Sequence, residues 1–152
     1  MEPYARRQSR QIILRTPKFY LFDVGVAGTL TKTIAAEERG EAFGRAFEHF
    51  MLMELAAHSS ISELHYDITF WRTKTGLEVD FILADGEVAI EIKASRKVER
   101  RELHAIHAFA DDHSPRSAIV VCSETRERLH EGIRVLPWRL FLEELWSGAI
   151  IG

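Results

Sequence analysis

The chain has 152 residues, of which 46% are hydrophobic and 28% are charged, and its formal net charge is −3. This size and balance are typical of a single globular domain, residues 1–152, and they exclude a disordered or fibrous chain. No apolar stretch approaches the roughly 20 residues that cross a bilayer, so no membrane association is expected. The single cysteine excludes an internal disulfide and favours a cytoplasmic location.

Residues 1–20 form a basic N-terminal arm or strand, in which five lysine and arginine side chains stand against the single acid Glu2. The remainder of the chain is acidic. Two interpretations of the arm stay open. It contacts the phosphates of a nucleic acid, or it is a solvated edge strand or linker whose charge prevents aggregation.

The core is predicted over residues 35–146. Phe43, Phe47 and Phe50 recur at helical spacing and predict a long helix over 35–58. The later elements are predicted as a turn at 59–62, strands at 64–72, 77–83 and 88–93, a helix at 99–111, a strand at 116–122, a short helix at 124–130, a strand at 133–136 and a helix at 137–146. The order α-β-β-β-α-β indicates an α/β fold with a mixed sheet flanked by helices.

The segment 77–93 carries the most chemical information. Asp85-Gly86 between two apolar runs predicts a β-hairpin with a two-residue turn. Counting outward from that turn places Asp80 opposite Glu91 and Glu78 opposite Lys93. Like charges in such positions destabilise a sheet, so a divalent cation is expected to offset the repulsion.

Strict alternation along the same two strands predicts two different sheet faces. Leu77, Val79, Phe81 and Leu83 would form an apolar face. The opposite face would gather the acids together with the lysine.

These residues resemble the motif of the PD-(D/E)XK nuclease superfamily. Asp80 matches the aspartate of the second core strand, Glu91-Ile92-Lys93 matches Glu-x-Lys on the third, and Glu48 matches the helical glutamate. Val79 stands where the superfamily has proline. The resemblance implies a restriction-endonuclease-like fold with an αβββαβ core. It also implies nucleic acid, most simply DNA, as the substrate whose phosphodiesters are hydrolysed.

The roles that this resemblance implies are specific. Glu48, Asp80 and Glu91 would be the ligands of Mg²⁺ or Mn²⁺. Lys93 would position or deprotonate the attacking water, or stabilise the charge on the phosphate. Glu54 is a rival to Glu48, because it lies within the phenylalanine stripe of the same helix.

A second resemblance covers nearly the whole chain. The sequence looks like the uncharacterised C-terminal domain that follows an AAA-type ATPase module in many prokaryotic proteins. The matching runs are 18–25, 48–55, 71–72, 78–81, 91–93 and 135–138. This resemblance implies an AAA-type ATPase partner in the same or another chain. The 152 residues themselves do not contain that module, since they have no Gly-x-x-x-x-Gly-Lys-Ser/Thr loop.

Two alternatives complete the predictions. The domain could be a catalytically inactive module for partner recognition or for oligomerisation, including homo-oligomerisation, because a fold does not determine a function. His104 and His107 share a helix face, but a zinc site is not expected there, since no carboxylate or cysteine lies at matching spacing.

Overall fold

The structure is a computed structural model that describes residues 1–4, 16, 18 and 40–152. The elements of this part are α1 (Glu41–Ile61), β1 (Ile68–Arg72), β2 (Glu78–Leu83), β3 (Val88–Lys93), α2 (His104–His113), β4 (Ser117–Cys122), β5 (Arg128–His130), β6 (Ile133–Pro137) and α3 (Trp138–Trp146). A short 3₁₀ turn lies at Arg100–Leu103, and Ala84–Gly86 belong to the turn between β2 and β3. Most of the predicted basic arm, residues 19–25 of the matching runs and residues 35–39 of the predicted core lie outside the described residues.

The strands form one mixed sheet in the order β1-β2-β3-β4-β6-β5. β1, β2 and β3 are antiparallel neighbours, β4 and β6 continue the sheet parallel to β3, and β5 lies antiparallel to β6 at the edge. Parallel neighbours need a crossover, which α2 supplies between β3 and β4. The predicted α/β class with a mixed, helix-flanked sheet is confirmed. Within the ranges given above, no helix is long and apolar enough to span a bilayer.

Helices cover both faces of the sheet. Met51 and Leu55 of α1 pack together with α3 against β2, β3 and β4 on one face. Ile106 and Phe109 of α2 pack against a second apolar cluster on the other face. The prediction of one apolar and one acidic face is therefore wrong for the middle of the sheet, because strands buried under helices are apolar on both sides.

A β-bulge in β2 also breaks the predicted alternation. The register between β1 and β2 shifts, so that Asp80 and Phe81 together oppose the single residue Phe70. As a result Val79 packs on the α2 face, whereas Phe81 packs on the α1 face. A bulge re-aims the side chains of its strand, and this one lies at a predicted site residue.

The predicted hairpin between β2 and β3 is confirmed together with its register. The observed pairs Leu83–Val88, Ile82–Ala89 and Phe81–Ile90 follow the predicted count. The pairing ends there, and Asp80 and Glu91 lie just beyond it, close enough for the charge of Glu91 to act on Asp80. The predicted turn at Asp85-Gly86 therefore determines which acids become neighbours.

The turn is longer than the two residues predicted, because the paired strands end at Leu83 and Val88 and Ala84 is also left-handed, with φ of 49°. Asp85 and Gly86 have φ angles of 51° and 94°, as at the centre of a type I′ turn. The Tyr4 hydroxyl donates a hydrogen bond of 3.2 Å to the Asp85 carbonyl. It also lies so close to Gly86 that a Cβ atom there would collide with it. Glycine is thus required both for its φ angle and for this close approach.

The predicted helix over 124–130 is wrong. Residues 128–130 form β5, which pairs with β6 across a tight turn at Glu131 and Gly132, where φ is 48° and 86°. Gly132 belongs to a hairpin turn and does not end a helix. The preceding segment is fixed instead by Arg128, which donates hydrogen bonds to the Glu124 carboxylate and, at 2.8 Å, to the Val98 carbonyl.

Two boundaries also differ from the sequence prediction. α1 continues to Ile61, so that most of the predicted turn at 59–62 is helical. Ser62 ends the helix, and its hydroxyl donates a hydrogen bond of 2.6 Å to the His58 carbonyl. β1 begins at Ile68 rather than at residue 64.

Candidate active site

The predicted acids meet at the end of β2 and β3 that lies away from their turn. One Asp80 carboxylate oxygen accepts a hydrogen bond of 2.8 Å from the Ile92 backbone N–H. In an uninterrupted ladder that N–H would bind a backbone carbonyl of the neighbouring strand. Here the Asp80 carboxylate takes the place of that carbonyl, which fixes its position, with 13% of the side chain exposed.

Glu91 is the most deeply buried of the four predicted site residues. Only 6% of its side chain is exposed, and its Oε1 atom lies 2.6 Å from Lys93 Nζ. The two residues are neighbours on the same face of β3 because they are two positions apart. Glu91 Oε2 is buried and has no hydrogen-bond partner. Since buried polar atoms are nearly always paired, this oxygen fits a position where a cation binds.

Lys18 joins the acids of the helix to those of the sheet. Its Nζ atom forms an ion pair with Glu78 and lies 3.4 Å from Glu48 Oε1 and 4.0 Å from Asp80 Oδ1. Glu48 reaches this group from α1. Sequence reasoning missed Lys18 as a site residue, although it belongs to the basic arm and begins the first of the matching runs.

Burial and charge alter the proton affinities of the two central acids. Burial, together with the charges of Glu91 and Glu48, raises the pKa of Asp80 well above its usual value. Burial raises the pKa of Glu91 to about 7, although the neighbouring Lys93 acts in the opposite direction. Adjacent acids with raised pKa values are typical of sites that hold a proton or a cation.

The pairing of Glu78 with Lys93 that the register suggested is wrong. Glu78 pairs with Lys18 and with its cross-strand neighbour Arg72, whose Nε lies 2.5 Å from Glu78 Oε2. Lys93 instead forms an ion pair with Glu91, which lies on the same strand. Burial acts to raise the pKa of Glu78, but the two cations outweigh it and hold that pKa below its usual value.

The helical acid nearest the site is Glu48 and not its rival Glu54. Glu54 accepts a hydrogen bond of 3.0 Å from Trp146 Nε1 and so faces α3. Glu48 shares the Lys18 ammonium with Asp80. The structure therefore brings Glu48, Asp80, Glu91 and Lys93 into one neighbourhood, with Lys18 and Glu78 as additional members.

The donor set fits a hard divalent cation at Asp80 and Glu91. Two carboxylates are the number that Mg²⁺ commonly takes from a protein, and Glu91 contributes an unpartnered oxygen. Among the described residues, the oxygens of Glu48, Asp80 and Glu91 are not all within 4.8 Å of one another. Glu48 is thus placed to join the ligand shell only after a movement, or through water.

Comparison with known proteins identifies a family but no activity. A family model described as "Domain of unknown function (DUF4143)" matches residues 43–141, more than half of the chain. The match includes all four predicted site residues. No curated protein and no solved structure is significantly similar to the chain. A function has to be argued from the site itself.

Proposed function

The chain belongs to the DUF4143 family, and we propose that it is a divalent-metal-dependent nuclease-like domain. Its substrates would be nucleic-acid phosphodiesters, with DNA as the first to test. The observation that carries the proposal is the buried pair of Asp80 and Glu91, with an unpartnered Glu91 oxygen beside Lys93. Paired carboxylates and an ammonium are the groups that metal-assisted phosphodiester hydrolysis uses.

The proposal includes a restriction-endonuclease-like fold. Its support is the order α1-β1-β2-β3-α2-β4, which reproduces an αβββαβ core. Further support comes from the placement of the acids. Asp80 lies on the second core strand, Glu91 on the third and Glu48 on the preceding helix, as the nuclease motif requires.

The chain's own residues would perform distinct tasks. When bound, Mg²⁺ or Mn²⁺ would neutralise charge on the phosphate and lower the pKa of a water molecule. Asp80 and Glu91 would hold the ion, with Glu48 as a further ligand directly or through water. The Ile92 N–H orients the Asp80 carboxylate, so that one ligand is fixed in advance.

Lys93 would act as a cation rather than as a base. Burial opposes its charge, but the Glu91 carboxylate at 2.6 Å outweighs that effect and raises the pKa of Lys93. A protonated ammonium cannot accept a proton from water. We therefore assign Lys93 to positioning the water and to stabilising negative charge on the phosphate.

We extend the proposal to the cellular context of the domain. Members of this family are often found with AAA-type ATPases. An ATPase module in the same or a partner chain would supply movement along, or remodelling of, the nucleic acid. The buried free thiol of Cys122 agrees with a reducing cytoplasm.

A non-catalytic module for partner recognition or homo-oligomerisation is the second candidate. The Lys18 contact favours it, because this ammonium supplies Glu48, Glu78 and Asp80 with a cation from within the chain. In that case no metal is needed to balance those three acids. The two candidates differ in whether a divalent ion binds.

The test incubates the full chain with single-stranded, duplex and branched DNA, and with RNA, in Mg²⁺ or Mn²⁺. Asp80→Asn and Lys93→Met are compared with Asp85→Asn and Lys74→Met, whose native side chains are exposed. We expect metal-dependent cleavage by the wild type and by both controls. Each site variant should lose about 100-fold or more in rate, as for other electrostatic groups of an active site.

Two results would contradict the enzyme. Cleavage that persists in Asp80→Asn would assign the activity to a contaminant or to other residues. Absence of cleavage, combined with absence of Mg²⁺ binding in calorimetry, would favour the interaction module. Light scattering coupled to size-exclusion chromatography then measures whether the chain associates with itself.

A further inference from the structure

We propose that His107, His130 and Glu131 form a binding site for a transition-metal ion of the zinc class. One donor atom from each of these residues lies within 4.8 Å of the other two. His107 is on α2, whereas His130 ends β5 and Glu131 begins the turn to β6. The helix spacing of the histidines did not predict this group, because two of its members come from a distant hairpin.

The imidazoles carry unused nitrogens. Nε2 of His107 and Nε2 of His130 are both buried without a hydrogen-bond partner. The two rings meet edge to face, with centroids 6.2 Å apart, so they do not stack. Because buried polar atoms are nearly always paired, two orphan nitrogens in one place indicate a ligand between them.

The Glu131 carboxylate faces His107. Arg100 Nη2 lies 3.1 Å from Glu131 Oε1, and Glu131 Oε2 lies 3.8 Å from His107 Nε2. The second distance is too long for a hydrogen bond. Arg100 thus holds one oxygen while the other faces the imidazole, as an outer contact does for a metal ligand.

The donor types select the class of ion. Zn²⁺ binds imidazole nitrogen at about 2.0–2.1 Å and carboxylate oxygen at about 2.0–2.2 Å, so two ligands of one tetrahedral ion lie about 3.4 Å apart. His107 Nε2 and Glu131 Oε2 are 3.8 Å apart, so a bound ion would draw the exposed carboxylate slightly closer to the imidazole. Imidazole suits zinc, nickel and copper, whereas Mg²⁺ prefers oxygen alone. The oxygen-only group at Asp80 and Glu91 would therefore take a different ion.

The surroundings leave one side of the trio open. A cleft lined by Arg100, Arg101, His104, His107, Asp111 and Glu131 borders it. Three protein ligands would leave a fourth tetrahedral position for water or an anion from this cleft. A bound ion would also join α2 to the β5–β6 hairpin and stabilise the folded chain.

The test uses the full chain, freed of metal with a chelator and then titrated calorimetrically with Zn²⁺ and with Co²⁺. His107→Gln and His130→Gln are compared with His65→Gln, whose exposed histidine lies outside the trio. In excess Mg²⁺, which would occupy the group at Asp80 and Glu91, we expect one Zn²⁺ or Co²⁺ ion per chain for the wild type and for His65→Gln. Each trio variant should bind at least about 10-fold more weakly, and metal should raise the melting temperature only where it binds.

Three outcomes would overturn the proposal. These are absence of one-to-one Zn²⁺ or Co²⁺ binding in the wild type, unchanged affinity in the trio variants, and loss of binding in Asp80→Asn. Glu131→Gln is a further variant that keeps the shape of the exposed side chain and removes its charge. Circular dichroism confirms that each variant is folded before its affinity is compared.

Discussion

At the level of single residues, Glu91 is where burial and charge oppose each other most clearly. Its pKa is raised from 4.5 to about 7, chiefly by burial. Between those values the folded state binds a proton that the unfolded chain has released. The free energy of unfolding therefore falls as the pH rises through this window.

We expect Glu91→Gln to make the pH dependence of stability shallower between pH 5 and 7, because glutamine has no proton to lose. The measurement is urea unfolding of both proteins at several pH values. Glu87→Gln is the matched control, since Glu87 adjoins the same strand but 59% of its side chain is exposed. If the free energy of unfolding depends on pH in the same way for the wild type and for Glu91→Gln, the pKa of Glu91 is not raised in the folded protein.

The residue pairs that could be predicted were those fixed by local structure. Asp85-Gly86 determined the hairpin register as far as Phe81 and Ile90, which brings Asp80 and Glu91 close together just beyond the paired residues. Lys18 could not be placed in this way, because its contact with the acids depends on tertiary structure rather than on a turn. For the same reason the register does not predict that Glu78 pairs with Lys18.

At the level of elements, the differences from prediction have local causes. Hydrophobic alternation assumes an unbroken strand, and the bulge at Asp80 and Phe81 violates that assumption. The mistaken helix at 124–130 came from treating Gly132 as a helix end. A glycine with positive φ serves equally in a hairpin turn, and only the pairing of β5 with β6 distinguishes the two.

Two glycine substitutions test whether Gly132 lies in a hairpin turn with positive φ. Gly132 has φ of 86°, whereas Gly44 lies within α1, and a Cβ atom at either position would meet no other atom within 4 Å. We expect Gly132→Ala to lower the free energy of unfolding by about 1 kcal/mol. Gly44→Ala should raise it by about 0.5–1 kcal/mol, because alanine favours a helix.

Both glycine variants are measured by urea unfolding under identical conditions. They add the same methyl group in open space, so that the difference between them reports the backbone conformation alone. A change of the same sign in both variants would contradict the assigned turn at Glu131 and Gly132.

At the level of the whole molecule, the element order could be predicted because each helix and strand has its own periodicity. The position of Lys18 among the acids could not be predicted, since it depends on tertiary contacts between residues distant in sequence. Those contacts place Lys18, with 16% of its side chain exposed, among three acids of α1 and β2. Lys18 and a divalent ion are thus alternative sources of positive charge for the same acids.

We therefore expect Lys18→Gln in the full chain to lower the free energy of unfolding by about 1–3 kcal/mol without Mg²⁺, because the acids lose a partly buried partner. Millimolar Mg²⁺ should restore more stability to this variant than it adds to the wild type. Lys74→Gln, at an exposed turn position, should change stability by less than about 0.5 kcal/mol. If Mg²⁺ acts equally on the wild type and on Lys18→Gln, the lysine and the metal do not serve the same acids.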